Sequence, residues 1–285
     1  MRKRENDDIL YTQKMREEEE AKKSKMNDLE MYREELSLCD DKIIDALVER
    51  NRIVEKIMAY KEEYGMPILQ PKQEEKQQKR LEEKLQDNKY KQEICNVFHC
   101  IQNNSKKIQA RKLFNYNIVL IGFMGAGKTT ISEYLSTMFA MRIVEMDRII
   151  AEREQMSIPD IFETYGEEYF RDLETKLLIE MQSERNAVIS CGGGVAMRER
   201  NVTEMKKNGR VVLLTASPEV IYDRVKDTDD RPVLNGRKNV KGIAELMEQR
   251  REKYEAAADV VIQTDNKSVL QICEELVQRL TEMDE

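Results

Sequence analysis

Residues 117–129 read Asn117-Ile-Val-Leu-Ile-Gly122-Phe-Met-Gly-Ala-Gly-Lys128-Thr129. The aliphatic run makes a short buried strand. Gly122 to Thr129 then fits G-x-x-x-x-G-K-[ST], with a helical pattern behind it. Strand, glycine loop and helix in that order build a phosphate cradle. The glycines let backbone N–H groups close around phosphate oxygens, and the helix N-terminus adds a positive dipole. Lys128 is expected to neutralise β/γ-phosphate charge, and the Thr129 hydroxyl to hold Mg²⁺, with ATP as the nucleotide. The expected nucleotide-binding residues are Gly122, Gly125, Ala126, Gly127, Lys128, Thr129 and Thr130.

Downstream, strands are expected at 142–146, 187–190, 211–215 and 260–263, with helical patterns between them. That alternation means a parallel sheet with helices on both faces. Residues 113–285 therefore read as an α/β phosphate-loop domain.

Upstream, the pattern is helical. Leu29, Tyr32, Leu36, Cys39, Ile43, Leu47, Val54 and Ile57 follow steps that keep one face of a long helix, ending near Gly65-Met66-Pro67. A second helix is expected from Pro71, a good first helical residue, to about Leu85, and a third from about Lys89 to Lys112. Residues 26–112 thus read as an all-α three-helix domain. Its first helix carries a stripe too long for one chain to cover, which points to a homodimer. Residues 1–25 hold eight Lys/Arg and seven Asp/Glu and read as a charged extension, helical or disordered.

Composition narrows the function classes. A net charge of -7, with 36% charged residues, argues against nucleic acid as a partner. No apolar run approaches the roughly 18 residues that span a bilayer. Cys39, Cys95, Cys100, Cys191 and Cys273 form no CxxC pair and have one histidine, His99, beside them. A zinc site is not expected, and scattered cysteines fit a reducing cytoplasm. Cys191 reads as a packed strand end.

The phosphate loop leaves the acceptor open, and further motifs bear on it. They are Glu145-Met-Asp147, the stretch Asp160-Ile-Phe-Glu-Thr-Tyr-Gly-Glu-Glu-Tyr-Phe-Arg171-Asp-Leu-Glu174, Gly192-Gly193-Gly194, Arg231-Pro232, and Arg250. In this order and spacing, residues 115–281 resemble shikimate kinase. The resemblance implies phosphoryl transfer from ATP to shikimate. Asp147 would bind the ring hydroxyls and take the proton. Arg171 and Arg250 would clamp the carboxylate, as guanidinium forks do, and Glu174 would orient Arg171. The glycines 192–194 permit close backbone approach. Residues 224–240 read either as a solvated loop or as a lid in which Arg231 closes on the phosphoryl group and Arg224 packs near adenine. One departure concerns the metal: the family usually has Asp-x-Asp where this chain has Glu145 and Asp147, and the longer arm of Glu145 shifts any metal contact.

On the helical stripe, Arg50 and Lys61 stand 11 residues apart, within about 20° of one face. Such charges either snorkel at a helix edge or line an anion site. Arg33 points about 100° away from Arg50. Ser105 and Gln109 share a face of the third helix, which can be simply polar. Together with Tyr32-Arg33-Glu-Glu-Leu-Ser-Leu-Cys-Asp40, Leu47-Val-Glu-Arg50, Pro67-Ile68 and Glu74, these residues resemble the all-helical chorismate mutases. The resemblance implies rearrangement of chorismate to prephenate without a cofactor. Arg33 of a partner chain and Arg50 would hold two carboxylates. Lys61 and Gln109 would donate to the ether oxygen, Glu74 would take the ring hydroxyl, and Ser105 would assist at a carboxylate. Gln70 and Gln73 stand where that family often has Asp and Arg.

The combined reading is a cytoplasmic bifunctional enzyme acting on shikimate, ATP and chorismate. Three alternatives remain at this level: a phosphate-loop kinase for another hydroxylated acceptor, a kinase carrying an inactive helical dimeriser, and a nucleotide-dependent scaffold.

Overall fold

Five parallel strands lie in the order β2-β3-β1-β4-β5. They are β1 (Asn117–Ile121), β2 (Arg142–Glu145), β3 (Ala187–Ser190), β4 (Gly209–Thr215) and β5 (Val260–Gln263). In register, Val119 pairs with Ile189 on one side and Val211 on the other. Every residue of β1 and β3 is buried, as both-face helical cover requires. The edge strand β5 alternates buried and exposed positions. The computed structural model describes residues 2–226 and 239–283, with side chains from Asn27 onward.

The chain forms two compact units, divided between Tyr60 and Lys61. In the first, α1 (Arg2–Glu63) is a continuous helix from the start of the described chain. The backbone of the charged stretch after Arg2 is thus helical. At 62 residues α1 measures about 93 Å. Leu29, Tyr32, Leu36, Ile43 and Ile57 of its apolar stripe are exposed. Gly65, at φ +58, accepts the left-handed turn that stops the helix.

In the second unit, α2 (Pro71–Lys84) starts on proline, as expected, and α3 (Lys91–Leu113) leads directly to β1. The α/β part continues through α4 (Lys128–Phe139), α5 (Met146–Glu154), α6 (Ile158–Glu180), α7 (Glu199–Lys207), α8 (Pro218–Val225), α9 (Val240–Ala257) and α10 (Val269–Glu282). One face of the sheet packs Ile118 and Leu120 against Ile131 and Leu135 of α4 and Leu276 of α10. The other packs Val119 and Ile121 against Phe170 and Leu177 of α6. The first core also contains Leu69, just before α2, and Ala110 of α3, together with Phe114. Phe114 meets Phe139 edge-on at 5.5 Å. The segment before α2 and helix α3 are therefore built into the core of the α/β part.

Candidate functional site

The loop between β1 and α4 depends on three glycines. Gly122, Gly125 and Gly127 have φ of +140, +78 and +102. A Cβ on Gly122 would sit 2.3 Å from the Leu214 carbonyl oxygen of β4. Lys128 Nζ donates to the carbonyls of Gly122 at 2.8 Å and Phe123 at 3.0 Å, so the amine curls over its own loop. A cleft of about 530 Å³ opens here, lined by Gly125 to Thr130 together with Glu145, Asp147 and Arg224. Arg224 reaches Gly125 O at 3.0 Å and Thr264 Oγ1 at 3.3 Å, which pins α8 to the loop.

Beyond the strand ends, the run Gly192-Gly193-Gly194 threads between charged side chains. A Cβ on Gly192 would lie 2.5 Å from Asp147 Oδ1 and 2.9 Å from Glu174 Oε1. On Gly194 it would lie 2.2 Å from Arg171 Nη2. The Gly193 carbonyl accepts from Arg250 Nη1 at 3.2 Å and from the Tyr254 hydroxyl. Arg171 pairs with Glu174 at 2.9 Å and Glu167 at 2.7 Å. Its guanidinium faces the Phe170 ring at 5.5 Å. Burial pushes the Glu174 carboxyl up to about 7, against the opposing pull of Arg171. The geometry arises from α6, which Ser157 caps by accepting from the Asp160 N–H at 3.3 Å. Gly166, at φ +83, breaks this helix before the turn bearing Arg171 and Glu174.

In the helical region, Lys61 Nζ donates to Ile68 O at 2.9 Å. Burial lowers the Lys61 ammonium, while Glu74 opposes that shift. Glu74 pairs with Lys106 at 2.8 Å. Ser105 is buried and donates to Ile101 O at 3.1 Å; Gln109 follows one turn later, half-buried. Arg33 and Arg50 lie on α1, with Arg33 exposed.

Residues 124–281 match the family model for shikimate kinase. The chain belongs to the shikimate kinase family. Residues 32–110 match the chorismate mutase type II model, so a kinase domain and a mutase domain are both present. The chain is 42% identical over 164 residues to the shikimate kinase of Persephonella marina, an alignment spanning 58% of this chain and 98% of that protein. It is 41% identical to the shikimate kinase of Enterococcus faecalis, over 58% of this chain and 99% of the relative. Among solved structures, shikimate kinase from Acinetobacter baumannii in complex with shikimate is 30% identical, with a TM-score of 0.56 over 59% of this chain and 94% of that one. Shikimate kinase from Aquifex aeolicus is 34% identical, with a TM-score of 0.52 over 59% of this chain and 98% of that one.

The structure of the kinase domain brings Asp147, Arg171, Gly192 to Gly194 and Arg250 together around one glycine run. Arg231 lies outside the described residues. Sequence reasoning missed Tyr254, although it stands one helical turn after Arg250 on the same face. It also missed Ser132, whose Oγ lies 2.9 Å from Glu145 Oε1 and 2.8 Å from Thr129 O. Cys191 is buried, and desolvation pushes its thiol well above the ordinary range, so it is no nucleophile. Among the described residues, no three His, Cys, Asp or Glu side chains converge on a metal position. Thr129 and Glu145 instead line one cleft with the phosphate loop, which suits a Mg²⁺ held largely by phosphate oxygens and water.

Proposed function

We propose that the kinase domain transfers the γ-phosphoryl group of ATP to a shikimate hydroxyl, and that the mutase domain rearranges chorismate to prephenate. The domains would run from 26 to 112 and from 113 to 285. The observation that carries the kinase reading is the glycine run 192–194. It presses against Asp147 and Arg171, residues that suit a hydroxylated carboxylate, beside a phosphate cradle.

In this reading the loop amides and Lys128 hold the β- and γ-phosphates. Asp147 orients the attacking hydroxyl and accepts its proton. Arg171 and Arg250 bind the carboxylate of the acceptor. Arg231 closes on the transferring group, and Arg224 braces the loop near the nucleotide. Mg²⁺ at Thr129, with Glu145 behind it, would neutralise phosphate charge. Catalysis is then positioning plus electrostatic stabilisation.

In the mutase domain, Arg50, with Arg33 of a partner chain, binds the two carboxylates of chorismate. Lys61 and Gln109 support the ether oxygen, Glu74 takes the hydroxyl, and Ser105 assists. A homodimer through α1 supplies the partner arginine, and its exposed stripe supports that pairing. Both reactions would take place in the cytoplasm, consistent with five unpaired cysteines.

The test is both assays on one purified full-length sample and on its Lys128→Ala variant. Phosphorylation of shikimate should fall by about 100-fold or more in the variant, the cost of removing a charge from a preorganised site. Chorismate loss should stay within about twofold. ATP hydrolysis without any phosphorylated acceptor would overturn the kinase reading. A wild-type sample inert towards chorismate would reduce the helical half to a dimerisation module.

A further inference from the structure

One ammonium group ties the two family segments together. Lys106, on α3, lies 2.8 Å from Glu74 Oε2 on α2. The same Nζ donates to the Thr137 carbonyl of α4 at 3.0 Å. Thr137 is in the last turn of α4, where helix carbonyls lack partners within their own helix and cations are favoured by the dipole. The opposite end of α4 carries Lys128 and Thr129. The Lys106 side chain is only 16% exposed, against 43% for Glu74. The cation is thus the fixed member of the pair, and the carboxylate is the one open to a ligand.

Resting on the mutase reading above, we propose that Lys106 is a positioning residue for Glu74 in chorismate rearrangement, anchored on the phosphate-loop helix of the kinase domain. Two physical effects follow from its place. An ammonium on Oε2 holds the carboxylate in one rotamer and turns Oε1 to the ligand hydroxyl. It also offsets the charge of Glu74, which would otherwise repel a substrate bearing two carboxylates. Lys61 contributes to the same field, since Glu74 acts on its ammonium, but Lys61 is held on the Ile68 carbonyl. The mutase carboxylate is therefore set by a cation whose own position depends on the kinase domain.

The experiment measures chorismate loss by the full-length protein as wild type, Lys106→Met, Lys106→Gln, Lys106→Arg, Glu74→Gln, and Glu74→Gln combined with Lys106→Met. Lys106→Met should raise KM by about tenfold, the loss of one charge-assisted contact made in ground and transition states alike, with kcat within about twofold. Lys106→Gln can still donate to Thr137 and so keeps the anchor on α4; it should show the same rise in KM. Lys106→Arg should restore most of the affinity. In the Glu74→Gln background, Lys106→Met should add less than about twofold, because the residue acts through Glu74. Equal losses in both backgrounds, or an unchanged KM in both neutral variants, would overturn the proposal and leave Lys106 as a clasp between helices. If the wild type turns over no chorismate, the mutase reading falls and the proposal with it. Wild-type turnover without the Glu74 dependence sinks the proposal alone.

Discussion

Glu174 gives one carboxylate oxygen to Arg171 at 2.9 Å and buries the other, Oε1, where no donor among the described residues reaches it. Burial therefore outweighs the guanidinium, and the group titrates near 7 instead of its ordinary 4.5. A carboxyl raised in the folded state binds more protons there than in the unfolded chain between those two values. Its stabilising contribution is complete below about pH 4.5 and is lost as pH rises through 7. Relative to Glu174→Gln, the wild type should lose on the order of 3 kcal/mol across that window. Denaturation midpoints of both proteins at pH 5, 6, 7 and 8 check this expectation. Parallel curves would show that Glu174 ionises normally.

The same carboxylate faces Asp147 across Gly192. A methyl group there would meet Asp147 Oδ1 at 2.5 Å and Glu174 Oε1 at 2.9 Å. Gly192→Ala should therefore displace two side chains of the proposed acceptor site while leaving the phosphate loop intact. The expected result is a fall of about 100-fold in kcat/KM for shikimate, with nucleotide affinity changed by less than about threefold. Isothermal titration with an ATP analogue, beside steady-state kinetics, separates the two. Equal losses in both would place Gly192 in the nucleotide site.

Leu69 lies within the mutase match yet is only 4% exposed, in the core that contains Leu135 and Phe139 of the kinase. Leu69→Ala should cost about 2 to 4 kcal/mol, as buried leucine truncations do. The loss should appear as earlier thermal inactivation of phosphotransfer. Kinase inactivation at the wild-type temperature would mean that this contact does not support the kinase fold.

Arg33 and Arg50 stand about 100° apart around α1, so one helix cannot aim both at the same small ligand. If the partner supplies Arg33, the variants Arg33→Ala and Arg50→Ala should each be nearly inactive towards chorismate. Mixed and refolded together, about half the dimers would be hybrids, each with one complete pocket, and roughly a quarter of wild-type activity should return. Confirmed hybrids without recovery would assign both arginines to a single chain.

Much of this was legible in the sequence. Short aliphatic runs set between helical patterns placed β1, β3 and β5, and Pro71 marked the start of α2, because those signals are local. The charged stretch after Arg2 gave no such signal: without an apolar stripe, nothing distinguishes a solvated helix from an unstructured leader. The residues proposed for the acceptor stand as separate motifs in the sequence, and folding gathers them onto 192–194. Tyr254 and Lys106 were missed for a related reason. Periodicity tells which face of a helix is covered but not which element covers it. Leu69 and Ala110 pack in the core that contains Leu135 and Phe139 of α4.

Between the end of α3 and the start of β1 stand three residues, and two of them, Phe114 and Tyr116, are buried. Phe114 is clasped edge-on by Phe139, and the Asn186 amide donates to its carbonyl at 3.0 Å. A protease looking for a tether at this junction meets a rigid joint whose backbone must unfold before it fits a cleft. For protein engineering, the seam between the two catalytic modules is a poor place to splice. A graft of α2 and α3 onto another kinase would have to bring the aromatic joint and its receiving pocket with it.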